Sequence, residues 1–132
     1  MQANGTFEVK LAPQATAHSL ENLPLARMSL DKTFTGDLEA VSCGEMVSAG
    51  TKVKGSAGYV AMEWVRGSLH GRKGSFVLQH SATMNRGAPE MRITVVPDSG
   101  TEELLGISGS LTISIAEGKH RYTLDYSLAA AP

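Results

Sequence analysis

The sequence predicts an all-β protein, folded as an eight-stranded, mostly antiparallel closed β-barrel that forms a single domain over residues 1–132. Three observations predict this architecture. Apolar and polar residues alternate with a period of two in eight successive segments, turns that contain glycine separate several of these segments, and no window keeps a 3.6-residue apolar period. About eight strands allow a closed sheet to enclose either packed side chains or one small ligand. An open sandwich of the same strands is the structural alternative.

The N-terminal part of the chain contains three predicted strands and one long loop. Residues 7–11 alternate apolar with charged side chains, and residues 28–34 alternate apolar with polar ones. Between them, residues 15–25 are the best candidate for a helix but include Pro24 near their end, so we interpret them as a loop with at most one helical turn. Residues 36–48 are rich in small side chains, which allow a strand to curve.

The remaining five predicted strands are joined mainly by short turns. They cover residues 58–71, 74–84, 90–97, 109–118 and 120–128. Residues 71–74, 85–89 and 117–119 are connections short enough for hairpins, and each contains glycine, which adopts positive φ without strain. Pro89 is expected to end its loop and not to interrupt a strand ladder.

Composition and charge argue against several classes of function. The net charge is -1, and the 12 basic residues are scattered among 13 acidic ones, so neither a nucleic acid nor a membrane surface is an expected partner. The N-terminal sequence lacks the pattern of a signal peptide, and the one cysteine, Cys43, cannot form an intramolecular disulfide. The four histidines lack a metal-ligand spacing. We therefore expect a cytoplasmic protein without a metal or cofactor.

Several sequence strings resemble one family when they are taken together. "RMSLDKTFTGDLEA", "GSAGYVAMEWVRGSLHGRKGSFVLQH", "VVPDSGTEELLGISGSLTI" and "GKHRYTLDYSL" are similar to an uncharacterised bacterial family, domain of unknown function 3224, over residues 5–128. The resemblance implies a barrel like that of allene oxide cyclase, of calycin-like shape, and no established activity. Residues 99–109, with "SGT" followed by Gly106 and Gly109, are similar to a turn of allene oxide cyclases and dirigent proteins. Those proteins act on hydrophobic small molecules inside a barrel, which is an analogy of fold alone.

Polar residues on the more apolar strand faces are the candidate site, if those faces point inward. We expect Glu63 and His80 to be catalytic. The expected substrate-binding residues are Lys32, Tyr59, Phe76, Leu78, Gln79, Tyr122 and Tyr126. Gln79 is included because it becomes interior if the faces are reversed. Burial raises the pKa of a carboxylic acid and lowers the pKa of an imidazole, and a close pair opposes both shifts, so the site could move a proton. Alternatively, Glu63 and His80 only form hydrogen bonds with each other, or with backbone groups, inside a packed barrel.

The opposite face of the same strand is equally apolar. Val60, Met62 and Trp64 alternate with the predicted interior residues, and aromatic and methionine side chains favour interface centres. We expect a homo-oligomer, with a dimer favoured, through this stripe. The alternative is burial of the stripe under the loop at residues 12–25.

Three functions remain open on the sequence. The leading hypothesis is binding of a small hydrophobic molecule in a barrel cavity, with or without cofactor-free isomerase or cyclase activity. The second is a carrier of a hydrophobic metabolite without turnover. The third is an assembly module with a solidly packed barrel, whose outer stripe carries the function.

Overall fold

The computed structural model describes residues 1–128 and confirms a closed, eight-stranded antiparallel barrel. The strands are β1 (Gln2–Gln14), β2 (Leu25–Gly36), β3 (Leu38–Gly50), β4 (Ala57–Leu69), β5 (Arg72–Asn85), β6 (Ala88–Val95), β7 (Ser108–Ala116) and β8 (Lys119–Ser127). Each strand pairs with its chain neighbours, and β8 pairs with β1 to close the sheet. The open sandwich is therefore not formed. A 3₁₀ segment, Glu102–Leu104, is the only helical element of the described residues, and no helix there is long and apolar enough to cross a membrane.

Burial alternates along the strands as the sequence pattern predicts. In β4, Ala61, Glu63 and Val65 are buried, whereas the residues between them are exposed. The more apolar face of β5 likewise points inward. The strands are longer than the alternating segments because polar residues at their ends still pair in the ladder; β1, for example, extends to Gln14.

Three hairpins use two-residue turns with positive φ at both positions. The turns are His70–Gly71, Arg86–Gly87 and Glu117–Gly118, in which all six φ values lie between 48° and 91°. Such φ values are those of type I′ turns, whose twist matches that of the flanking strands. Pro89 lies inside β6 opposite Met84, so the expectation that it ends the loop is wrong; it is accommodated because it is close to the start of the strand.

The connection between β1 and β2 contains no helical turn. Residues 15–24 form an irregular loop with a turn at residues 21–22, which confirms the loop interpretation.

One end of the barrel, here called the closed end, is filled by the chain that links β6 to β7. Leu104 and Ile107 insert into the core and are almost fully buried. Ser99 and Thr101 attach this link to β5: the Ser99 hydroxyl accepts a hydrogen bond from the backbone N–H of Val77 at 3.0 Å, and the Thr101 hydroxyl accepts one from that of Ser75 at 3.0 Å. The serine and threonine of the "SGT" string thus replace ladder bonds that β6 no longer supplies.

The opposite end, here called the open end, has no such plug. It is formed where β1, β3, β5 and β7 finish and the next strands begin, with turns or loops at residues 15–24, 51–56, 86–87 and 117–118. The side chains near this end are less buried than those at the closed end. Within residues 1–128, the fold therefore leaves space inside the barrel at the open end.

Candidate functional site

Four polar side chains meet inside the barrel around Glu63, and we call them the Glu63 cluster: Lys32, Ser42, Glu63 and His80. Glu63 is fully buried. Its Oε1 accepts hydrogen bonds from Nζ of Lys32 at 3.0 Å and from Nε2 of His80 at 2.8 Å. Its Oε2 accepts one from Oγ of Ser42 at 2.5 Å. Both oxygens of the carboxylate are therefore held by donors.

The cluster comes from four consecutive strands, β2 to β5. Lys32 lies directly opposite Ser42 in the β2–β3 ladder. Glu63 is two residues along β4 from the residue opposite Ser42, and His80 is two residues along β5 from the residue opposite Glu63. These diagonal neighbours lie on the same inward face and within reach of long side chains. The stagger of the barrel strands thus brings the four polar groups together.

A glycine on β3 allows the close approach of the backbone beside Glu63. Gly44 is directly opposite Glu63 in the β3–β4 ladder. A Cβ atom at Gly44 would lie 2.1 Å from the backbone oxygen of Met62 and 2.9 Å from Cα of Glu63, both too short for any side chain. Residue 44 is therefore required to be glycine if β3 and β4 are to keep this spacing.

The surroundings of Glu63 favour its ionised form. Burial alone would raise the pKa of Glu63, but the hydrogen bond from His80, the charge of Lys32 and the hydrogen bond from Ser42 together outweigh it and lower the pKa from its ordinary value of 4.5. A carboxylate only accepts hydrogen bonds, so Nε2 of His80 carries a hydrogen. In a neutral imidazole, Nδ1 is then the nitrogen with a free lone pair.

That second nitrogen of His80 is open to the interior of the barrel. Within residues 1–128, Nδ1 makes no hydrogen bond, and no buried side-chain nitrogen or oxygen there lacks a partner. Nδ1 is therefore accessible, and His80 lines a cavity at the open end.

This cavity has a volume of about 340 Å³. Lys32 and His80 lie on its inner side. Its walls are mostly apolar and include Phe7, Val9, Leu30, Met46, Ile113 and Ile115. A neighbouring cavity of about 280 Å³ shares Met46, Tyr59 and Met91 with it, so the two spaces adjoin at the mouth of the barrel. The arrangement is an apolar chamber with a small polar floor.

Two aromatic residues complete the environment of the floor. Nζ of Lys32 is 4.8 Å from the ring centroid of Phe7, a distance at which a cation is attracted to the face of an aromatic ring. Tyr59 lines the mouth, and burial, followed by the negative charge of Glu63, raises the pKa of its phenol from 10.0. Tyr59 is therefore a neutral hydroxyl at ordinary pH.

The structure brings four of the nine predicted site residues to this chamber. Lys32, Tyr59 and His80 line the cavity, and Glu63 lies directly behind Lys32 and His80. The other five predicted residues are Phe76, Leu78, Gln79, Tyr122 and Tyr126. None of these five lines either of the two adjoining cavities.

Those five residues lie elsewhere for identifiable reasons. Phe76 and Leu78 point inward but are packed in the core below the chamber. Gln79 is exposed on the outer face, because the faces are not reversed. Tyr122 and Tyr126 are near the closed end: the Tyr122 hydroxyl accepts a hydrogen bond from the backbone N–H of Leu38 at 2.9 Å, and the Tyr126 hydroxyl bonds with Nδ1 of His70.

Sequence reasoning missed Ser42 and most of the mouth. Alternation along β3 could have placed Ser42 inward, but a serine in a run of small residues carries no chemical signal of its own. Met46, Met91, Ile113 and His120 line the chamber because their strands end there, which only the closed sheet determines.

The predicted outer stripe is exposed and is not covered by the loop at residues 12–25. Val60, Met62 and Trp64 are 55%, 52% and 46% exposed. Val41 and Val47 on β3 are also exposed and lie opposite residues of the stripe or next to it. The homodimer through this stripe stays a prediction.

The described part of the chain contains no group of three or more histidine, cysteine, aspartate or glutamate side chains placed to hold a metal ion. In the Glu63 cluster, the position next to the carboxylate where a metal would need a further ligand is taken by the ammonium of Lys32.

Comparison with known proteins identifies a family and a similar solved structure. The sequence profile described as "Protein of unknown function (DUF3224)" matches residues 3–126. A crystal structure of a protein of unknown function from the DUF3224 family of Shewanella oneidensis MR-1 is 49% identical, with 99% of this chain and 98% of that chain covered and a TM-score of 0.94. No curated protein matches the chain significantly.

Proposed function

The chain belongs to the DUF3224 family, whose function is unknown, and from this premise we propose that its barrel binds a small, largely apolar molecule in the open-end chamber. The observation that carries the proposal is the position of Lys32 and His80 on the inner side of an apolar cavity of about 340 Å³. Ligand pockets are typically apolar, of roughly 300–1,000 Å³, with a few polar groups that orient the ligand. The adjoining cavity gives room for a ligand that extends towards the mouth.

The buried charges of Lys32 and Glu63 favour ligand binding over a barrel whose interior serves only for packing. Removing Lys32 and Glu63 from water costs free energy, and apolar residues of similar size often give equal or greater stability at such positions. Stability alone therefore does not account for an ion pair beside an open chamber. Accessible donor and acceptor atoms of Lys32 and His80 account for it if a ligand's polar group binds there.

Two activities are compatible with such a chamber, and a third function uses the outside of the barrel. A carrier would hold the ligand unchanged, whereas a cofactor-free isomerase or cyclase would also use the Glu63 cluster chemically. The exposed stripe of Val60, Met62 and Trp64 favours self-association as a separate property. A cytoplasmic location stays a prediction.

Blocking the chamber tests ligand binding directly. Met91 lines both cavities on β6 and is half exposed, so Met91→Trp fills the mouth without overpacking the core. The adjacent Arg92 is also exposed but lines neither cavity, so Arg92→Trp is the matched control. We expect the purified protein to bind the dye 1-anilinonaphthalene, detected by its fluorescence, and Met91→Trp to weaken binding by at least about tenfold, equivalent to 1.4 kcal/mol.

The results separate the possibilities as follows. Weaker dye binding in Met91→Trp with unchanged binding in Arg92→Trp supports the chamber as the site. Equal binding by both variants, or no binding by the wild-type protein and no small molecule retained in native mass spectrometry, contradicts the proposal. Far-UV circular dichroism establishes that each variant is folded.

A further inference from the structure

We infer that the Glu63 cluster catalyses proton transfer on an apolar carbonyl compound, with Nδ1 of His80 as the base and the ammonium of Lys32 as the group that stabilises the enolate oxygen. The substrate class is a neutral ketone or enone with an acidic C–H next to the carbonyl group. This inference rests on the proposed binding of an apolar molecule in the chamber, and it assigns a chemical step to that site.

The hydrogen bonds of His80 determine which of its two ring nitrogens acts as the base. Nε2 donates to Oε1 of Glu63 at 2.8 Å, so in the neutral imidazole the accessible Nδ1 presents its lone pair to the chamber. The buried carboxylate keeps this tautomer and stabilises the imidazolium that forms when Nδ1 takes a proton, as a buried carboxylate does for the histidine of a serine protease. Glu63 is accordingly a positioning residue, and Ser42 holds its second oxygen.

The group that stabilises negative charge is Lys32. Its ammonium has three N–H donors, of which one is directed to Oε1 of Glu63 at 3.0 Å, and Lys32 lines the chamber beside His80. A cation already in place where oxyanion charge develops lowers the barrier because it need not reorganise during the reaction. The nearby ring of Phe7 keeps water away from one side of the ammonium.

The balance of charges in the Glu63 cluster favours a substrate whose polar group is neutral. The positive charge of Lys32 is matched by the negative charge of Glu63, and the reaction starts from the uncharged tautomer of His80 described above. The cluster therefore has no net charge with which to attract a carboxylate or phosphate. A carbonyl oxygen, by contrast, accepts one N–H of Lys32 while the adjacent C–H faces the lone pair of His80.

The reaction needs no oxidant, reductant or cofactor. The C–H bond next to the carbonyl group breaks, and its proton moves to Nδ1 of His80. The electron pair of that bond forms a C=C bond to the carbonyl carbon, and the π electrons of the carbonyl group move to its oxygen, giving an enolate beside Lys32. If the proton on Nδ1 is replaced by one from solvent before the same carbon is reprotonated, the C–H group exchanges with solvent. Protonation at the far end of a conjugated system instead moves the double bond.

Solvent deuterium exchange tests this step without knowledge of the natural substrate. The probe is 2-tetralone, an apolar ketone with acidic C–H groups, incubated in deuterated buffer with the full-length protein and followed by loss of its proton NMR signal. We expect the wild-type protein to accelerate exchange over buffer. His80→Gln should remove about 10²–10⁴-fold of that acceleration, since its amide can still donate to Glu63 but provides no base. Lys32→Met should remove about 10²–10³-fold.

Three further variants make the assignment specific. His18→Gln and Lys10→Met change the same residue types at exposed positions outside the chamber and should exchange at the wild-type rate. Glu63→Gln should lower kcat more than it raises KM and should change the pH profile of exchange, because the imidazolium loses its carboxylate. A purely structural role of Glu63 would leave that profile unchanged.

Binding of 2-tetralone is measured separately by displacement of the fluorescent dye. If the ketone and the dye do not bind, the proposed function fails. If the ketone binds but no exchange above buffer occurs, the proton-transfer inference is overturned and the proposed function stands. Wild-type exchange in His80→Gln also overturns the inference, and should that variant not fold, undiminished exchange in Lys32→Met does so.

Discussion

The ammonium of Lys32 and the carboxylate of Glu63 lie 3.0 Å apart inside the barrel, with side chains that are only 7% and 0% exposed. Both charges are largely removed from bulk water, so each depends on the other, and the carboxylate depends also on the hydrogen bonds that Ser42 and His80 supply. A buried pair of this kind contributes little net free energy of folding, but loss of one partner leaves an uncompensated charge.

Separate and combined substitutions of this pair should therefore be strongly non-additive. We expect Glu63→Gln to lower the free energy of unfolding by about 3–5 kcal/mol, because the Lys32 ammonium then stays buried without an anion. Lys32→Met should also destabilise the protein, and the double variant should lose less than the sum of the two. Urea unfolding of all four proteins measures this coupling, and additive losses would contradict it.

The stabilisation by Glu63 should disappear in acid. Its pKa is lowered in the folded barrel from 4.5, despite burial, by His80, Lys32 and Ser42, so between the two pKa values the unfolded chain binds more protons than the folded one. The contribution is present above about 4.5 and is lost as pH falls through the folded pKa. We therefore expect the difference in free energy of unfolding between the wild-type protein and Glu63→Gln to shrink from pH 7 to pH 3. A difference that is constant over that range would show that folding does not shift the pKa of Glu63, and a difference that grows towards pH 3 would show that folding raises it.

Substitution by alanine should affect the free energy of unfolding differently at two glycines of β3. Gly44→Ala puts a Cβ 2.1 Å from the backbone oxygen of Met62, so we expect a loss of about 1–3 kcal/mol through displaced backbone. Gly50, at the end of the same strand, has nothing within 4 Å of the same position, and Gly50→Ala should stay within about 0.5 kcal/mol of the wild-type protein. Thermal and urea unfolding compare the pair. Equal effects would mean that β3 and β4 relax without cost beside Glu63.

Tyr122 should act on stability and not on ligand binding. Its hydroxyl accepts from the backbone N–H of Leu38 at 2.9 Å and donates to the backbone oxygen of Thr35 at 3.0 Å, so it connects β8 to the β2–β3 turn. Tyr122→Phe leaves buried backbone groups without a partner and should cost about 1–3 kcal/mol. Dye affinity should equal that of the wild-type protein. A weaker affinity at unchanged stability would instead return Tyr122 to the ligand site that the sequence predicted.

The outer stripe predicts a homodimer that a single charge would disrupt. Trp64 is 46% exposed between the other two residues of the stripe and Arg66, whose guanidinium lies 4.6 Å from the indole ring centroid. We expect size-exclusion chromatography with light scattering to give a dimer for the wild-type protein and a monomer for Trp64→Glu. Ser114→Glu, on the outer face of β7, is the exposed control and should stay dimeric. A monomeric wild-type protein, or a dimeric Trp64→Glu, would exclude this stripe as the contact.

Local patterns in the sequence predicted much of this protein because they depend on neighbouring residues alone. Side chains on a strand alternate between two faces. Glu63 and His80 each share a face with apolar residues, which was enough to predict that both point inward, as they do. Glycines next to short turns likewise predicted the hairpins. The number of strands followed from counting alternating segments, and the family from strings long enough to be specific.

Tertiary structure alone decided what those inward side chains meet. The stagger of strands around the closed sheet brings Ser42 to Glu63. The long link that inserts Leu104 fills one end of the barrel, where Tyr122 has a structural role. Lys32 and His80 lie beside the chamber at the other end. The physical reason is that alternation specifies a face but not a height within the barrel. Height depends on pairing between residues that are distant in the chain, and no local pattern in the sequence encodes it.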